Sequence, residues 1–391
     1  MLDTADLHIH SPFSMATSAA MTPPALIDAC MRKGISVLGS GDALNAAWRR
    51  MWQDHLENDA GVLVVPTLEV EGKGRVHYLA IMEDFEACAE LAAMLAPHAR
   101  HIEQAGRPHV DMGGEALARA VHGLGGLIGP AHAFTPWTGM YAAFDSIRDC
   151  FGEEPVDFLE LGLSADSNYG AGIAELEAIP FLSNSDAHSA SPLKLGREFN
   201  RLAPGPRTVR SVMDRIRNGA ITMNAGFFPE EGKYSRTACI RCFAQFSLEE
   251  AQKHRWRCPV DAGRIKKGVA DRARELAADH IPLPRPPYLH LIPLGEIVQR
   301  CLGMASPATK RCLQVYDALI ASLGPEIAIL IDVPVAEIEE IDARVAAAVD
   351  ALRKGDVVLH PGGGGKYGWF EIRVTEEQRE SFSGPGTGRK P

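Results

Sequence analysis

The residues best suited to chemistry are histidines and carboxylates that terminate apolar, strand-like runs. His8 and His10 lie two apart in D-L-H-I-H-S, and the alternation of a strand would place both imidazoles on one face. Asp186 and His188 repeat this spacing in L-S-N-S-D-A-H-S. The runs between them carry Asp42, Glu69, His77, His132 and Glu160, with only His77 near the start of its run. Imidazoles and carboxylates are standard ligands of Zn and Mn, so the set predicts divalent-metal hydrolysis.

Two of the carboxylates are candidates for shared ligands. Glu69 and Asp186 are expected to bridge neighbouring ions and to carry the catalytic role. An ion pair with an arginine is the alternative for Glu69, and it is as good an interpretation as ligation for Glu160. Residues 183–185, read as Ser-Asn-Ser, are expected to orient the ligands.

The elements that must position these residues alternate between strand and helix. Helical segments are predicted at 22–33, 85–104 and 114–124 and strands at 35–38, 61–70, 126–128, 156–161 and 179–182. This order favours a parallel β/α barrel. Because barrel chemistry collects at the carboxyl ends of the strands, most of the candidate ligands would meet there.

Length and composition limit the classes of protein to which the chain can belong. At 391 residues the chain is long enough for two or three domains, and 46% hydrophobic with 23% charged residues is typical of a globular protein. No apolar run approaches the roughly 20 residues of a membrane span, and no secretory leader pattern precedes the first strand. We therefore expect a cytoplasmic protein. Five of the eight cysteines lie in apolar helical contexts and are expected to be core residues.

The other three cysteines predict a zinc-ribbon-like module. Cys239-x2-Cys242 is followed after fifteen residues by Cys258-x2-Asp261, so an aspartate stands where a ribbon has its fourth cysteine. Asp261 can ligate zinc, His254 is an alternative fourth ligand, and an open or lost site is a further possibility. We expect a structural zinc.

A basic stretch accompanies this module. Residues 191–275 contain 18 Lys and Arg against 9 Asp and Glu, a net +9, although the whole chain carries −10. The stretch predicts a surface for phosphates, whereas a solvated domain junction is the alternative. The candidate DNA-binding residues here are Arg197, Arg255, Arg257, Lys266 and Lys267.

The remainder of the chain is predicted to be mainly helical. After the proline-rich stretch 282–287, one helix is expected from Pro334 to Gly355. A strand and the loop P-G-G-G-G-K-Y-G follow at 357–368, where Lys366 and Tyr367 are candidates for contacting DNA, and a plain flexible turn is the alternative. Residues 375–391 are polar and rich in Gly and Pro, which predicts disorder.

These motifs resemble a known family. His8-x-His10, Asp42, Glu69, His77, His132 and the D-A-H of Asp186 and His188 resemble the PHP (polymerase and histidinol phosphatase) superfamily of metal-dependent phosphoesterases. The stretches L-H-I-H-S-P-F-S-M-A-T-S, L-G-S-G-D-A, E-L-G-L-S-A-D and L-S-N-S-D-A-H-S, with the cysteine cluster and I-K-K-G-V-A-D-R, are similar to endonuclease Q. That family nicks DNA on the 5′ side of deaminated bases and abasic sites.

The resemblance implies a complete architecture. It implies an α/β fold with a distorted seven-stranded PHP-type barrel at 1–230, a zinc-ribbon-like module at 231–281, a mainly helical domain for lesion recognition at 288–374 and a disordered tail at 375–391. The eight motif residues would bind two to three ions of Zn, Mn or Mg, beside one structural Zn and no nucleotide cofactor.

The predicted function is a metal-dependent endonuclease that cuts DNA 5′ to uracil, hypoxanthine, xanthine or an abasic site. DNA is the expected partner, damaged and either duplex or single-stranded, and we expect a monomer with no membrane contact. A PHP phosphoesterase acting on a small phosphate monoester is one alternative. A non-catalytic zinc-ribbon DNA-binding protein is the other.

Overall fold

The computed structural model describes residues 2–279 and 281–373, so the disorder predicted for 375–391 falls outside the described residues. The strands in these residues are β1 (Asp3–Asp6), β2 (Val37–Gly39), β3 (Leu63–Val65), β4 (Thr67–Glu71), β5 (His77–Ile81), β6 (Leu127–Pro130), β7 (Leu159–Glu160), β8 (Phe181–Leu182), β9 (Phe199–Leu202), β10 (Ile221–Gly226), β11 (Ala238–Cys239), β12 (Ile265–Lys266), β13 (Tyr288–His290), β14 (Val357–His360) and β15 (Trp369–Ile372).

Helices connect and cover these strands. They are α1 (Pro23–Lys33), α2 (Ala46–Gln53), α3 (Phe85–Leu95), α4 (Gly114–Gly123), α5 (Met140–Ala143), α6 (Ile147–Phe151), α7 (Ser167–Ala171), α8 (Val209–Arg217), α9 (Leu248–Lys253), α10 (Val269–Leu276), α11 (Leu294–Cys301), α12 (Lys310–Leu323), α13 (Glu326–Ile331), α14 (Val335–Glu339) and α15 (Ala343–Lys354). Short 3-10 turns occupy Lys73–Arg75, Ala96–His98, Ala174–Leu176 and Pro229–Glu231. Within the described residues, every helix is too short or too polar to traverse a lipid bilayer.

Residues 3–226, together with β13, form a mixed α/β structure built on three sheets. The largest has the order β13-β10-β9-β1-β2-β3, the second β4-β5-β6 and the third β7-β8. Hydrogen bonds join the three sheets at their edges. The amide of Asp157, just before β7, donates to the carbonyl of Ile128 in β6 at 3.0 Å, and Ile9, just after β1, forms a β-bridge with Ala187, which follows β8. The carboxyl ends of β1, β6, β7 and β8 therefore come together, and the predicted α/β class is confirmed.

The predicted uniform parallel order is wrong for part of this structure. β1, β2 and β3 pair in parallel, but β4-β5-β6 is antiparallel throughout and β9 runs antiparallel to both of its neighbours. The run predicted as one strand at 61–70 divides at Pro66, which has no amide hydrogen for a ladder. A tight turn at Gly74, with a φ of 75°, then returns the chain as a hairpin. The reversal explains why His77 begins its strand.

The carboxyl-terminal helices share a hydrophobic core with the amino-terminal α/β part of the molecule. Leu26 and Trp48 belong to the same buried cluster as Ile297, Leu319 and Val349. β13 also pairs in parallel with β10, so residues 288–290 extend the largest sheet. The helical region is therefore packed on the amino-terminal part over a continuous apolar contact.

One prediction for this region needs correction. The helix expected from Pro334 to Gly355 is two helices, α14 and α15, because the Asp342 side chain accepts hydrogen bonds from the amides of Arg344 and Val345 and begins a new helix. The glycine-rich loop makes a turn at residues 364–365 beside the cysteine module. A side chain at Gly364 would lie 2.1 Å from the carbonyl oxygen of Cys239, so glycine permits the loop to pack directly on the cysteine module.

Candidate metal centre

Seven of the eight predicted ligands converge in three overlapping clusters. In each cluster the possible ligand atoms lie within 4.8 Å of one another. The clusters are His8 with His10 and Glu69, His10 with Asp186 and His188, and Glu69 with His77 and His132. All these residues are buried except Asp186 and His188, which are half-buried and open the centre to solvent. The overlap through His10 and Glu69 is the arrangement expected of neighbouring ions that share ligands.

Glu69 occupies the middle of the centre. Its Oε1 lies 2.8 Å from Nδ1 of His77 and 3.0 Å from Nε2 of His132. Its Oε2 lies 3.3 Å from Nε2 of His10 and 3.7 Å from Nε2 of His8. The two oxygens thus face two different groups of imidazoles, which suits the bridging role predicted for this carboxylate.

The charges of the centre are balanced by close imidazole and carboxylate contacts. Burial alone would raise the pKa of the Asp186 carboxyl, but the close approach of His10 Nε2 to Oδ1 at 3.1 Å and the charges of His8 and His10 hold it well below its usual value. Burial would lower the pKa of His10, but the neighbouring Asp42 and Asp186 raise it to about 10. The raised pKa of His10 means that a cation binding at its Nε2 must displace a proton.

Several buried polar atoms are placed to bind a cation. Nε2 of His8, Nε2 of His10 and Oδ1 of Asp186 have no hydrogen-bond partner there, although all three are buried. Such atoms are costly to leave unsatisfied, and all three point into the shared region of the clusters. The residues present therefore fit divalent ions, held by imidazole nitrogen and carboxylate oxygen.

A second carboxylate fixes His8. Glu160 lies with Oε1 and Oε2 at 3.0 and 2.9 Å from Nδ1 of His8, and it also accepts from the backbone amide of His132 at 2.7 Å. The side-chain amide of Asn184 donates to Glu160 at 2.8 Å, as expected for an orienting residue. Nε2 of His8 is thereby directed at the centre.

Asp42 occupies the equivalent position behind His10. Its Oδ1 lies 3.0 Å from Nδ1 of His10, while Oδ2 accepts from the amide and hydroxyl of Ser11 and from the hydroxyl of Ser14. Asp42 is outside the three clusters. Its predicted ligation stays a prediction, and the contacts present are those of a group that orients His10.

Local backbone strain accompanies these side chains. Asp42, His132 and Asp186 have φ values of 48°, 31° and 47°, in the left-handed region that non-glycine residues rarely adopt. Such conformations cost on the order of 1–3 kcal/mol each. Three strained residues in one centre indicate that the surrounding contacts hold the side chains in position for a purpose other than stability.

Sequence reasoning missed several residues of the centre. Arg107 donates to Oε2 of Glu69 at 3.1 Å and keeps its guanidinium partly exposed, and Glu71 lies 3.3 Å from Nε2 of His77. Arg107 belongs to an irregular segment with no periodic pattern to mark it.

Ser183 and Ser185, predicted to orient ligands, have side-chain hydroxyls without a hydrogen-bond partner in the described residues.

The cysteine module forms a separate cluster. Cys239, Cys242, Cys258 and Asp261 offer ligand atoms within 4.8 Å of one another, with Sγ of Cys242 and Cys258 3.6 Å apart and Cys239 Sγ 3.3 Å from Asp261 Oδ1. His254, the alternative fourth ligand, is absent from the cluster and instead lies with its ring 6.2 Å from that of Phe246. The geometry thus favours Asp261 over His254.

The basic stretch divides into two parts. Cations of α8 and its neighbourhood are neutralised by acidic partners, as in Arg215 with Asp3 and Arg210 with Glu83. In residues 2–279 and 281–373, Arg255, Arg257 and Lys266 have no ion-pair partner within 4.0 Å, whereas Lys267 pairs with Glu275. Arg197 donates to the carbonyl of Ser185, next to Asp186, which makes it a support of the centre. The cysteine module is therefore the candidate phosphate surface.

Comparison with known proteins identifies the family. The crystal structure of the lesion-specific endonuclease PfuEndoQ from Pyrococcus furiosus is 41% identical, superposes with a TM-score of 0.92, and is matched over 97% of each chain. The chain belongs to the endonuclease Q family. A second endonuclease Q structure, in complex with a 27-mer duplex that carries an abasic lesion at the active site, is 40% identical with a TM-score of 0.91 over 97% of this chain and 98% of the other.

Two further comparisons match parts of this endonuclease Q chain. Residues 293–356, which span α11 to α15, match the family described as the MJ0043 C-terminal domain. The uncharacterized protein MJ0043 of Methanocaldococcus jannaschii is 43% identical over 261 residues, which are 64% of this chain and 33% of that protein. The match thus spans about a third of the length of that curated relative.

Proposed function

We propose that the protein is a metal-dependent endonuclease that cuts one strand of DNA on the 5′ side of a damaged nucleotide. The observation that carries the proposal is Glu69, whose two oxygens face separate imidazole clusters. Beside it lie buried atoms without a hydrogen-bond partner in the part of the chain that the structure describes. The endonuclease Q complex with an abasic duplex supports DNA as the substrate.

The side chains divide the work of hydrolysis among them. Divalent ions, when bound by His8, His10, Glu69, His77, His132, Asp186 and His188, would supply an activated water and neutralise the phosphoryl oxygens. Glu160 and Asp42 hold His8 and His10 in the tautomers that present Nε2 to the centre. Arg107, partly exposed beside Glu69, is placed to bind a non-bridging oxygen of the cleaved phosphate.

The proposed lesions are uracil, hypoxanthine, xanthine and the abasic site. Deamination replaces the exocyclic amine of cytosine, adenine or guanine with a carbonyl, so a hydrogen-bond donor in the pocket would distinguish the damaged base. One such contact is worth about 1–3 kcal/mol of discrimination. A base in a duplex must leave the stack to be read, and lesions that weaken stacking or pairing lower that cost.

The remaining parts of the molecule are assigned to binding DNA and to supporting the fold. We propose that the linked sheets form the distorted barrel of the PHP superfamily, that Cys239, Cys242, Cys258 and Asp261 hold one structural zinc, and that the helices α11 to α15 contribute to lesion recognition. The unpaired cations of the cysteine module suit binding to the DNA backbone. The protein is proposed to act as a monomer.

A nicking assay tests the proposal. Duplexes labelled at the 5′ end and carrying one uracil, hypoxanthine, xanthine or abasic site are incubated with Mn or Mg, beside the undamaged duplex. We expect a single product whose length places the cut 5′ to the lesion, and no product in EDTA. Equal cutting of the undamaged duplex contradicts lesion specificity. Release of phosphate from small monoesters without any nicking contradicts the function as a whole and favours the monoesterase.

A further inference from the structure

An exposed tryptophan lies where the barrel loop meets the cysteine module. Trp137 follows β6, five residues after His132, and its side chain is 42% exposed. The loop is tied to the metal centre on both sides, because the amide of Thr135 donates to the carbonyl of His132 at 2.8 Å and the carbonyl of Thr138 accepts from the amide of His77 at 2.9 Å. The position of Trp137 is therefore coupled to two predicted ligands.

The backbone of Trp137 is strained. Its φ of 89° is in a region that bulky residues avoid and that glycine adopts freely. Burial of a large apolar side chain can offset the free-energy cost of such a backbone conformation, but this indole is among the exposed large hydrophobic side chains. Neither backbone preference nor core packing explains a tryptophan here, so the ring itself requires an explanation.

Two cations of the cysteine module flank the ring. Nζ of Lys266 lies 3.6 Å from the ring centroid, and Cζ of Arg264 lies 5.6 Å from it. Lys266 belongs to β12, which pairs with the strand that carries Cys239, so the cysteine cluster fixes where this ammonium lies. Neither cation has an ion-pair partner within 4.0 Å among residues 2–279 and 281–373.

An exposed aromatic ring beside two cations has the composition of a nucleotide-binding platform. Aromatic rings stack on the faces of unpaired bases without regard to sequence, while lysine and arginine neutralise the flanking phosphates. A protein partner would offer carboxylates to the cations. Binding of such a partner does not explain a strained, exposed indole beside the centre that is proposed to cleave a phosphodiester.

We propose that Trp137, Lys266 and Arg264 form a stacking subsite for a nucleobase beside the cleaved phosphodiester. The proposal rests on the proposed function. The ring stacks on a base that the lesion leaves unpaired or partly unstacked, and the two cations bind the phosphates on either side of it. The cysteine module thereby influences catalysis by fixing the position of Lys266, in addition to attracting DNA by its positive charge.

The experiment places 2-aminopurine next to an abasic site in a duplex and follows its fluorescence on binding in EDTA, which prevents cutting. Wild-type protein, Trp137→Ala, Trp137→Phe and the control Met94→Ala, an exposed apolar residue on α3, are compared. We expect quenching by the wild type, strongly reduced quenching and about 5- to 100-fold weaker binding by Trp137→Ala, and substantial rescue by Trp137→Phe. Met94→Ala should match the wild type.

A second readout separates stacking from damage to the metal centre. Hydrolysis of bis(4-nitrophenyl) phosphate needs the metals but offers no base for this subsite. Trp137→Ala should lose more activity on the abasic duplex than on this small diester. Equal losses on both substrates, or unchanged quenching and affinity, overturn the subsite. If the wild type binds and cuts no damaged duplex, the proposed function fails first, and the subsite fails with it.

Discussion

The difference between a metal ligand and its support is decided residue by residue. Asp186 has a buried oxygen without a partner in the described residues, whereas both oxygens of Asp42 are already committed to His10, Ser11 and Ser14. Sequence reasoning placed both in one ligand set because each ends an apolar run. The distinction depends on hydrogen bonds between residues far apart in the chain, which no local pattern encodes.

Asp186→Asn should nearly abolish activity. The amide keeps the shape of the side chain but removes the negative charge that attracts cations. Loss of a residue that only supports a metal ligand typically reduces activity about 10- to 100-fold, and we expect a larger fall in nicking here. Metal content should fall, and DNA binding in EDTA should be largely retained. Asp28→Asn, an exposed aspartate on α1, is the control. Nicking by Asp186→Asn within a few-fold of wild type would refute its role.

Asp42→Asn should have a smaller effect. If Asp42 orients His10, its loss leaves every ligand atom in place and should reduce metal affinity and nicking by about 10- to 100-fold. Titration with Mn should partly restore the activity, because a weakened site fills at higher metal concentration. A loss as complete as that of Asp186→Asn, with no recovery at high Mn, would identify Asp42 as a ligand.

A buried carboxyl outside the metal clusters affects stability. Burial raises the pKa of Glu198 to about 8, partly offset by the hydrogen bond from the amide of Phe227 and by the charge of Arg197, and increased further by Glu160 and Asp6. Because the folded protein then holds a proton that the unfolded chain has lost, stability falls as pH rises from about 4.5 to about 8.

Glu198→Gln should remove this dependence. We expect its melting temperature to exceed that of the wild type at pH 8 and to approach it at pH 5, with a difference in free energy of unfolding on the order of 1–3 kcal/mol. Thermal melts across this range measure it. Parallel curves for the two proteins would contradict a neutral Glu198 in the folded state.

At the level of elements, periodicity and strand ends predicted much of the structure. The helix at Pro23–Lys33 and the helix at Gly114–Gly123 follow from apolar spacing and a proline or glycine near their ends. The hairpin of β4 and β5 did not follow, because strand direction depends on the turn at Gly74 and on pairing partners. His77 was nevertheless included among the ligands, since its residue type marked it whatever the direction of its strand.

The cysteine module is an element whose stability depends on its ligands. Its described hydrophobic core is small, consisting of four buried residues that include Cys239 and Cys258. A core of this size provides little stability by itself, so metal binding and folding should be coupled.

Cys239→Ser should therefore unfold the module. We expect loss of one tightly held zinc per chain, a lower melting temperature, and faster proteolysis within 231–281. Cys301→Ser, a half-buried cysteine outside the cluster, should keep the zinc. Zinc loss without any change in melting or proteolysis would indicate a site that no longer supports the fold.

At the scale of the whole molecule, net charge does not describe the surface that is proposed to bind DNA. The chain carries −10 overall, yet within residues 2–279 and 281–373 Arg255, Arg257 and Lys266 of the cysteine module have no ion-pair partner within 4.0 Å, whereas Arg210 and Arg215 of α8 are neutralised within the fold. The sequence predicted the basic stretch but not its division, because ion pairs such as Arg210 with Glu83 join residues 127 positions apart. The cysteine module is therefore the part of this stretch that we expect to attract a polyanion.

The salt dependence of binding tests this division. Each phosphate neutralised by a cation contributes about −0.9 to the slope of log K against log salt for duplex DNA. The double substitution Arg255→Gln and Arg257→Gln should reduce that slope by up to about 2 and weaken binding to damaged and undamaged duplexes alike. Anisotropy titrations between low and moderate salt provide the measurement.

The matched control removes two arginines that the fold already neutralises. Arg210→Gln with Arg217→Gln changes net charge by the same amount, but their partners Glu83 and Asp214 already hold them at 2.5 and 3.2 Å. If long-range attraction by total charge governs binding, both double variants should weaken it equally. If contacts at the cysteine module govern it, only Arg255→Gln with Arg257→Gln should lower the slope. An unchanged slope in that variant would place the DNA on a different face of the protein.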